Sequence, residues 1–523
     1  MPPSSRMDRL YRSGQQGLVR GGLKGLEKES LRLTSNGLIA QTPHPAALGS
    51  TLTHPWITTD YSEALIELIT PPCKKSEEAL DFMGDIHSFV HHHLEDELLL
   101  ATSMPIGLDG DDSIPIARYG DSNIGQMKHI YRRGLAYRYG RTMQSIAGVH
   151  FNYSVNEDLW PVLQQLDEHR GELTDFIAEA YFGVIRNVHR HGWLLIYLFG
   201  NSPAICKSFF RGRESLASRF AELDTHTLFR PNATSLRMSD IGYRNDNQTT
   251  LDISVNAVDE YIASLDAATN LPYPAYEAIG VKVNGEYRQL NANSLQIENE
   301  YYSPIRPKQI THSGEKPTLA LKKRGVRYVE LRALDLLCTQ PAGISLDEMH
   351  FLETFVLFCL LSDSPLLDQE EKAECNRNGL NVACCARGKD FMLFREGRPI
   401  PLKQWASNIL DQLLPIADLL DEEETGQPYR NSIEKHRPAV AEPEQTLSAI
   451  ILNEMRSNQE SFTEFALRLS RHHAAHWKQR RISEEINRDF MRESDLSWQK
   501  QAEIEASDSL SLDQYLQQYW MQT

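Results

Sequence analysis

An α+β fold with a wholly helical C-terminal region is what the sequence predicts, on three observations. Two segments alternate with period two, Gly148-Val-His-Phe-Asn-Tyr-Ser154 and Arg327-Tyr-Val-Glu-Leu-Arg-Ala333, as half-buried strands do. Three others, Ser76 to Leu100, Gly171 to Val188 and Leu346 to Leu361, repeat apolar residues at three and four, as amphipathic helices do. Beyond about Pro401 only the helical period remains. A catalytic α+β domain over about 1–400 and a helical region over 401–523 packed on it are therefore expected.

The elements follow in chain order. Glu27-Lys-Glu-Ser-Leu-Arg-Leu33 can be read with either period; Thr34-Ser-Asn-Gly37 after it is a hairpin-turn signal, which favours a strand with Glu27 and Glu29 on one face. Thr59 to Ile69 is open between helix and strand, since Glu63 and Glu67 align on one face of either. The strand at 148–154 puts His150, Asn152 and Ser154 on its polar face. The strand at 327–333 puts Tyr328, Glu330 and Arg332 together, so a carboxylate and a guanidinium project into one space. In the C-terminal region Leu402 to Asp421 carries Trp405, Ile409, Leu413 and Ile416 as one stripe. Helices at Leu447 to Asn458 and Phe462 to Arg481 follow a Pro-containing linker near Pro438 to Pro443.

With 523 residues, 41% hydrophobic and 24% charged, the chain can bury a deep site and has ordinary globular usage. A net charge of −17 disfavours nucleic acid and anionic membrane as main partners. Lys322, Lys323 and Arg324 form a local basic run, read as a solvated loop. Seven scattered cysteines suit a reducing compartment. A bridge from Cys375 to Cys384 or Cys385 is conceivable, and free thiols are preferred. Met1 to Leu10 lacks a signal-peptide core, and the apolar runs at Trp193–Gly200 and Phe355–Leu361 are far short of the ~20 residues that span a bilayer, so a cytoplasmic location is expected.

No phosphate-binding glycine loop and no hydrolase nucleophile elbow occurs, so any ATP would have to be held through cations and arginines. His87, His91 and Glu95 have ligand-like helical spacing, as do His472 and His476; both helices are strongly charged, and a solvated face is expected for each. His189 and His191 are read as interior or boundary residues. Glu27, Glu29, Asp60, Glu67 and Glu330, with His150, differ in kind: each sits in an apolar or alternating context that draws it indoors. A buried carboxylate needs a cationic partner. Mg²⁺ suits a cluster of several and arginines suffice for one or two, and spacing alone leaves both arrangements open.

Several separated blocks carry a resemblance. They include Gly25-Leu-Glu-Lys-Glu-Ser-Leu-Arg32, Leu52-Thr-His-Pro-Trp-Ile-Thr-Thr-Asp60, Glu63-Ala-Leu-Ile-Glu67, Tyr131-Arg-Arg-Gly-Leu135 and Met143-Gln-Ser-Ile-Ala-Gly-Val-His-Phe-Asn-Tyr153. Ala233-Thr-Ser-Leu-Arg237, Tyr302-Ser-Pro-Ile-Arg-Pro-Lys308 and Tyr328-Val-Glu-Leu-Arg332 continue the series. In this order they resemble the proteobacterial class of glutamate-cysteine ligases, or γ-glutamylcysteine synthetases, of the glutamine-synthetase-like superfamily. The resemblance is strong from Leu23 to Ala333 and weak over the helical remainder.

It implies a mostly antiparallel sheet curved into a funnel, its polar face carrying the acidic residues and helices outside. It implies ATP-dependent ligation of the glutamate γ-carboxyl to cysteine through a γ-glutamyl phosphate, the first step of glutathione biosynthesis; a ligase joining glutamate to another amine is the alternative. Glu27, Glu29, Asp60, Glu67, His150 and Glu330 would surround Mg²⁺ or Mn²⁺ ions bridging the nucleotide phosphates. Arg332, with Glu330, would act at the transferring phosphoryl group or the γ-carboxyl. Tyr131, Leu135, Gln144, Arg237, Tyr243 and Tyr302 would form the amino-acid pocket. Feedback by glutathione is suggested too, and a monomer is expected. One departure stands out: the family continues after the arginine with a Ser-Leu-Asp-x-Asn-Pro-Phe pattern, where Ala333-Leu-Asp-Leu-Leu-Cys-Thr339 stands here, so that loop is expected to differ and Cys338 invites a redox role.

Overall fold

The long strand β1, Leu23–Leu33, lies at the centre of the protein because both of its faces are covered, one by helices and one by the candidate site. This computed structural model describes residues 6–242 and 251–522. β1 pairs with β3 (Leu65–Ile69), which pairs with β2 (Ile57–Thr59), while β4 (Leu98–Leu99) adds to the far end of β1. On its other side β1 pairs with β5 (Val149–Ser154), then β7 (Tyr328–Leu334) and finally β6 (Ile305–Lys308). Every pairing is antiparallel and the sheet is open, which meets the α+β expectation. The turn after β1 forms as its residues require: Gly37 takes φ +86°, its N–H donates to Thr34 O at 2.9 Å, and Thr34 N–H donates to Leu38 O at 2.8 Å.

Register decides which residues meet. Glu27 stands opposite His150, Glu29 opposite Glu67, and Glu330 opposite Asn152, so the polar side chains of four strands share one face. The segment at 59–69 resolves as a turn and a strand. Glu67 joins the polar face, whereas Glu63 accepts from His44 N at 2.8 Å and Arg118 N at 2.9 Å, away from it.

The opposite face is covered by helices α1 (Ser76–His93), α2 (Leu173–His191) and α3 (Leu346–Leu361), with Leu26, Phe151, Val329 and Leu331 buried between the layers. This face also holds buried cations. Lys24 pairs with Glu353 at 2.7 Å, and the hydroxyls of Tyr153 and Tyr429 donate to the same carboxylate at 3.2 and 2.9 Å. Lys28 Nζ lies 2.9 Å from His87 Nε2, and burial brings that lysine down to about 7.

His87 and His91 correct the sequence reading: they are 1% and 2% exposed, not solvated. Helix α1 is sandwiched between the sheet and α4 (Phe462–Gln479), and the His87 ring stacks on Trp477 at 5.0 Å, while Glu95 falls beyond the helix and is exposed. His472 and His476 are exposed, as expected, and His189 and His191 sit at the boundary. Helix α1 also stops at His93, short of Leu100: Glu95 takes φ +46° and Leu98–Leu99 turns into a strand. Lys322, Lys323 and Arg324 are the last turn of a helix, Pro317–Arg324, rather than a loop.

Past Leu402 every element is helical, and Trp405, Ile409, Leu413 and Ile416 are all buried in a core shared with the sheet layer. All seven cysteines are free. The altered stretch after Arg332 is firmly tied: Asp335 accepts from Asn201 N, Ser202 Oγ and Ser235 Oγ at 2.9, 2.6 and 2.8 Å. Cys338 within it is 1% exposed and burial pushes its thiol up to about 12, which leaves no accessible thiolate for redox chemistry. Among the described residues no helix is long and apolar enough to cross a membrane.

Candidate active site

The polar face of the sheet gathers the predicted acidic residues around His150. His150 Nδ1 is 3.1 Å from Glu27 Oε2 and 3.7 Å from Glu330 Oε1, and its Nε2 is 3.7 Å from Glu29 Oε1. Two groups of possible ligand atoms result, Glu27 with His150 and Glu330, and Glu29 with Glu67 and His150; within each the atoms lie within 4.8 Å of one another. Neighbouring strands hold the carboxylates in place: Asn152 Nδ2 donates to Glu27 Oε1 at 2.9 Å and Gly148 N–H donates to Glu29 Oε2 at 2.7 Å. Asp60 follows β2. Its main-chain oxygen accepts from the Tyr119 hydroxyl at 2.8 Å and from Arg132 Nε, which fixes the turn while the side chain faces the same space as Glu29.

This concentration of carboxylates is electrostatically unequal. Desolvation, then repulsion from Glu27, Asp60 and Glu29, raises Glu67 well above the ordinary range; desolvation also raises Glu29. Glu330 is desolvated too, yet Lys308, Arg332, His150 and Arg306 outweigh that cost and hold it well below the ordinary range. Arg332 Nη1 donates to Glu330 Oε1 at 3.0 Å, and despite desolvation the charges of Glu330, Glu29 and Glu27 raise its pKa further. The donor set fits divalent cations. Glu330 Oε2, 3.5 Å from Lys308 Nζ, and His150 Nε2 are buried without hydrogen-bond partners, and the raised carboxyl of Glu67 among other carboxylates is the signature of missing positive charge. Hard oxygen donors predominate, as Mg²⁺ or Mn²⁺ require, and His150 is the one softer ligand.

A cavity of about 110 Å³ opens beside the cluster, with Glu29, Asp60 and Arg332 in its wall. Four predicted pocket residues, Tyr131, Leu135, Gln144 and Tyr302, line it as well. Arg237 does not line it. Its guanidinium lies against Gly148, where an added Cβ would stand 2.2 Å from Nη2, and it reaches Met238 Sδ at 3.4 Å, the atom to which the Tyr302 hydroxyl also donates at 3.3 Å. Tyr243 lies outside the described residues.

Sequence reasoning missed Arg132, Arg306 and Glu300 in this wall. Arg132 sits inside the helix Asn123–Tyr139, and helical spacing from Leu135 was a usable signal. Glu300 carried none: it is buried and satisfied from a distance in sequence, by Arg138 Nη1 at 3.0 Å and the Tyr139 hydroxyl at 2.6 Å.

Known proteins share this chain's sequence and its fold. A profile of the family described as glutamate-cysteine ligase matches residues 7–382. The chain is 48% identical over 519 residues to a glutamate-cysteine ligase of Azotobacter vinelandii, covering 99% of this chain and 97% of the relative. It is 45% identical over 521 residues to one from Alcanivorax borkumensis, covering 98% of each. Its structure superposes with a TM-score of 0.90 and 35% identity on a crystal structure of glutamate-cysteine ligase from Francisella tularensis in complex with AMP, covering 96% of this chain and 98% of that one. On a profile match over residues 7–382 and these near full-length identities, the chain belongs to the glutamate-cysteine ligase family.

Proposed function

We propose that the protein joins the γ-carboxyl of L-glutamate to the amino group of L-cysteine, with ATP converted to ADP and phosphate, giving γ-glutamylcysteine for glutathione biosynthesis. The observation that carries this reading is that the acidic face and the small cavity adjoin: Glu29 belongs to both, and Asp60 and Arg332 in the cavity wall act electrostatically on it. A nucleotide as co-substrate agrees with the AMP held by the Francisella tularensis relative.

A carboxylate resists attack by an amine, so the γ-carboxylate first takes the terminal phosphoryl group, and the cysteine nitrogen then displaces phosphate. Divalent cations, Mg²⁺ or Mn²⁺, held by Glu27, Glu29, Asp60, Glu67, His150 and Glu330, would supply neutralising charge on the nucleotide phosphates. Arg332, oriented by Glu330 at 3.0 Å and part of the cavity wall, places a fixed positive charge where the phosphoryl group passes between two anions. Tyr131, Leu135, Gln144 and Tyr302 enclose the amine, and an enclosed site limits loss of the acyl phosphate to water. Arg237 and Tyr302 meet at Met238, which supports a shared role at the border of this pocket. A cytoplasmic monomer restrained by glutathione completes the reading.

The test is an amine panel. With ATP, Mg²⁺ and glutamate present, phosphate release should depend on added amine, and L-cysteine should exceed 2-aminobutyrate, alanine or glycine in kcat/KM, by roughly tenfold or more for the last two. Equal release without amine, or a clear preference for an amine unlike cysteine, would reject the assignment.

A further inference from the structure

Outside the small cavity lies a larger one of about 920 Å³, and Tyr131, Arg132 and Asn299 line both, so the outer space is a vestibule of the inner pocket. Lys128 stands one turn before Arg132 on the helix Asn123–Tyr139 and faces the vestibule. Among the described residues its Nζ makes no hydrogen bond and no ion pair; the ammonium lies 5.1 Å from the Tyr119 ring centre. The Arg132 guanidinium lies over the same ring at 4.6 Å, with Nε donating to the main-chain oxygen of Asp60 and Nη1 to that of Lys128. Like charges four residues apart on a helix repel.

No carboxylate of the vestibule cancels this charge. Glu315 is bound to Arg324 at 2.6 Å, and Glu503 is exposed, one turn from Lys500, which also lines the space. Desolvation and the neighbouring Arg132 bring Lys128 down to about 8, against the attraction of Glu67 on the acidic face. An incoming amino acid carries that counter-charge in its α-carboxylate, and an ammonium–carboxylate contact in a partly enclosed space is a strong one.

We propose that Lys128 and the vestibule it lines form an outer capture subsite for the α-carboxylate of the amine substrate, ahead of the inner pocket. The inference rests on the ligase reading above and adds a binding group to it. Lys128 is on this account a specificity residue for the amine substrate and takes no part in phosphoryl transfer.

The experiment compares the wild-type chain with Lys128→Met and Lys128→Arg, measuring kcat/KM for cysteine, glutamate and ATP at low and high ionic strength. Lys128→Met should lower kcat/KM for cysteine by roughly tenfold, the scale of one charge-assisted contact facing water, with the values for glutamate and ATP within about twofold. Lys128→Arg should recover most of the loss. Salt should depress the cysteine value of the wild type and do so less in Lys128→Met. A cysteine value within about twofold of wild type in Lys128→Met overturns the proposal, and so does an equal fall for all three substrates, which would mark structural damage. Failure of the ligase reading shows separately, as a wild-type chain that makes no γ-glutamylcysteine.

Discussion

Arg332 donates to one oxygen of Glu330 at 3.0 Å, while the other oxygen is buried without a hydrogen-bond partner. A neutral amide of the same shape at that position cannot serve a cation, so Glu330→Gln should lower kcat by about 10²-fold or more in a phosphate-release assay, as should Arg332→Met. Gly148 is the other residue with a sharp expectation. Its N–H holds Glu29 and its missing side chain makes room for Arg237, so Gly148→Ala should cost about 1–3 kcal/mol in denaturant unfolding and raise KM for an amino-acid substrate. At this scale His150, Glu330 and Arg332 were legible because alternation in β5 and β7 leaves them on polar faces, while Glu27 and Glu29 in β1 depended on the turn signal that follows them. His87 and His91 were misread because the counted charges, Glu77, Glu78 and Asp81, occupy the exposed side of α1, and nothing local reports that α4 covers the other.

Among the elements, α3 is bounded at Leu346 and Leu361 as the periodicity placed it, because a complete capping box marks its start: Ser345 Oγ accepts from Glu348 N, and Ser345 N–H donates to Glu348 Oε2 at 2.9 Å. Burial raises the Glu348 carboxyl to about 7. The folded state therefore keeps a proton that the unfolded chain releases near the ordinary carboxyl range, so stability falls as pH rises from about 4.5 to about 7. Glu348→Gln preserves the accepting oxygen and removes that dependence, so the midpoint of urea unfolding should drop less across this pH window than in the wild type. The last helix, Leu512–Trp520, was not assigned a role from the sequence, since its apolar residues reveal no partner. In the structure Leu516 and Tyr519 pack on Met127 and Ile130 of the helix that carries Tyr131 and Arg132. A chain ending at Leu510 should unfold at a lower temperature and show a higher KM for cysteine than the intact chain.

For the molecule as a whole, period was enough to anticipate strands mixed with helices and a helical C-terminal part, and the resemblance supplied the antiparallel sheet with helices outside. Registers such as Glu29 opposite Glu67 were out of reach, because pairing is set by contacts between segments far apart in sequence. The net charge of −17 likewise hid the site's own balance, in which Lys308, Arg306 and Arg332 act against four or more carboxylates within a few side chains. The central claim is that the γ-carboxylate of glutamate is activated by phosphoryl transfer before cysteine attacks. Glutamate labelled with ¹⁸O in its γ-carboxyl tests it most directly: with ATP, Mg²⁺ and cysteine, one labelled oxygen should appear in the released phosphate for each γ-glutamylcysteine formed. Phosphate free of label while γ-glutamylcysteine forms, with the oxygen lost from the γ-carboxyl recovered in AMP or in water, would contradict the account.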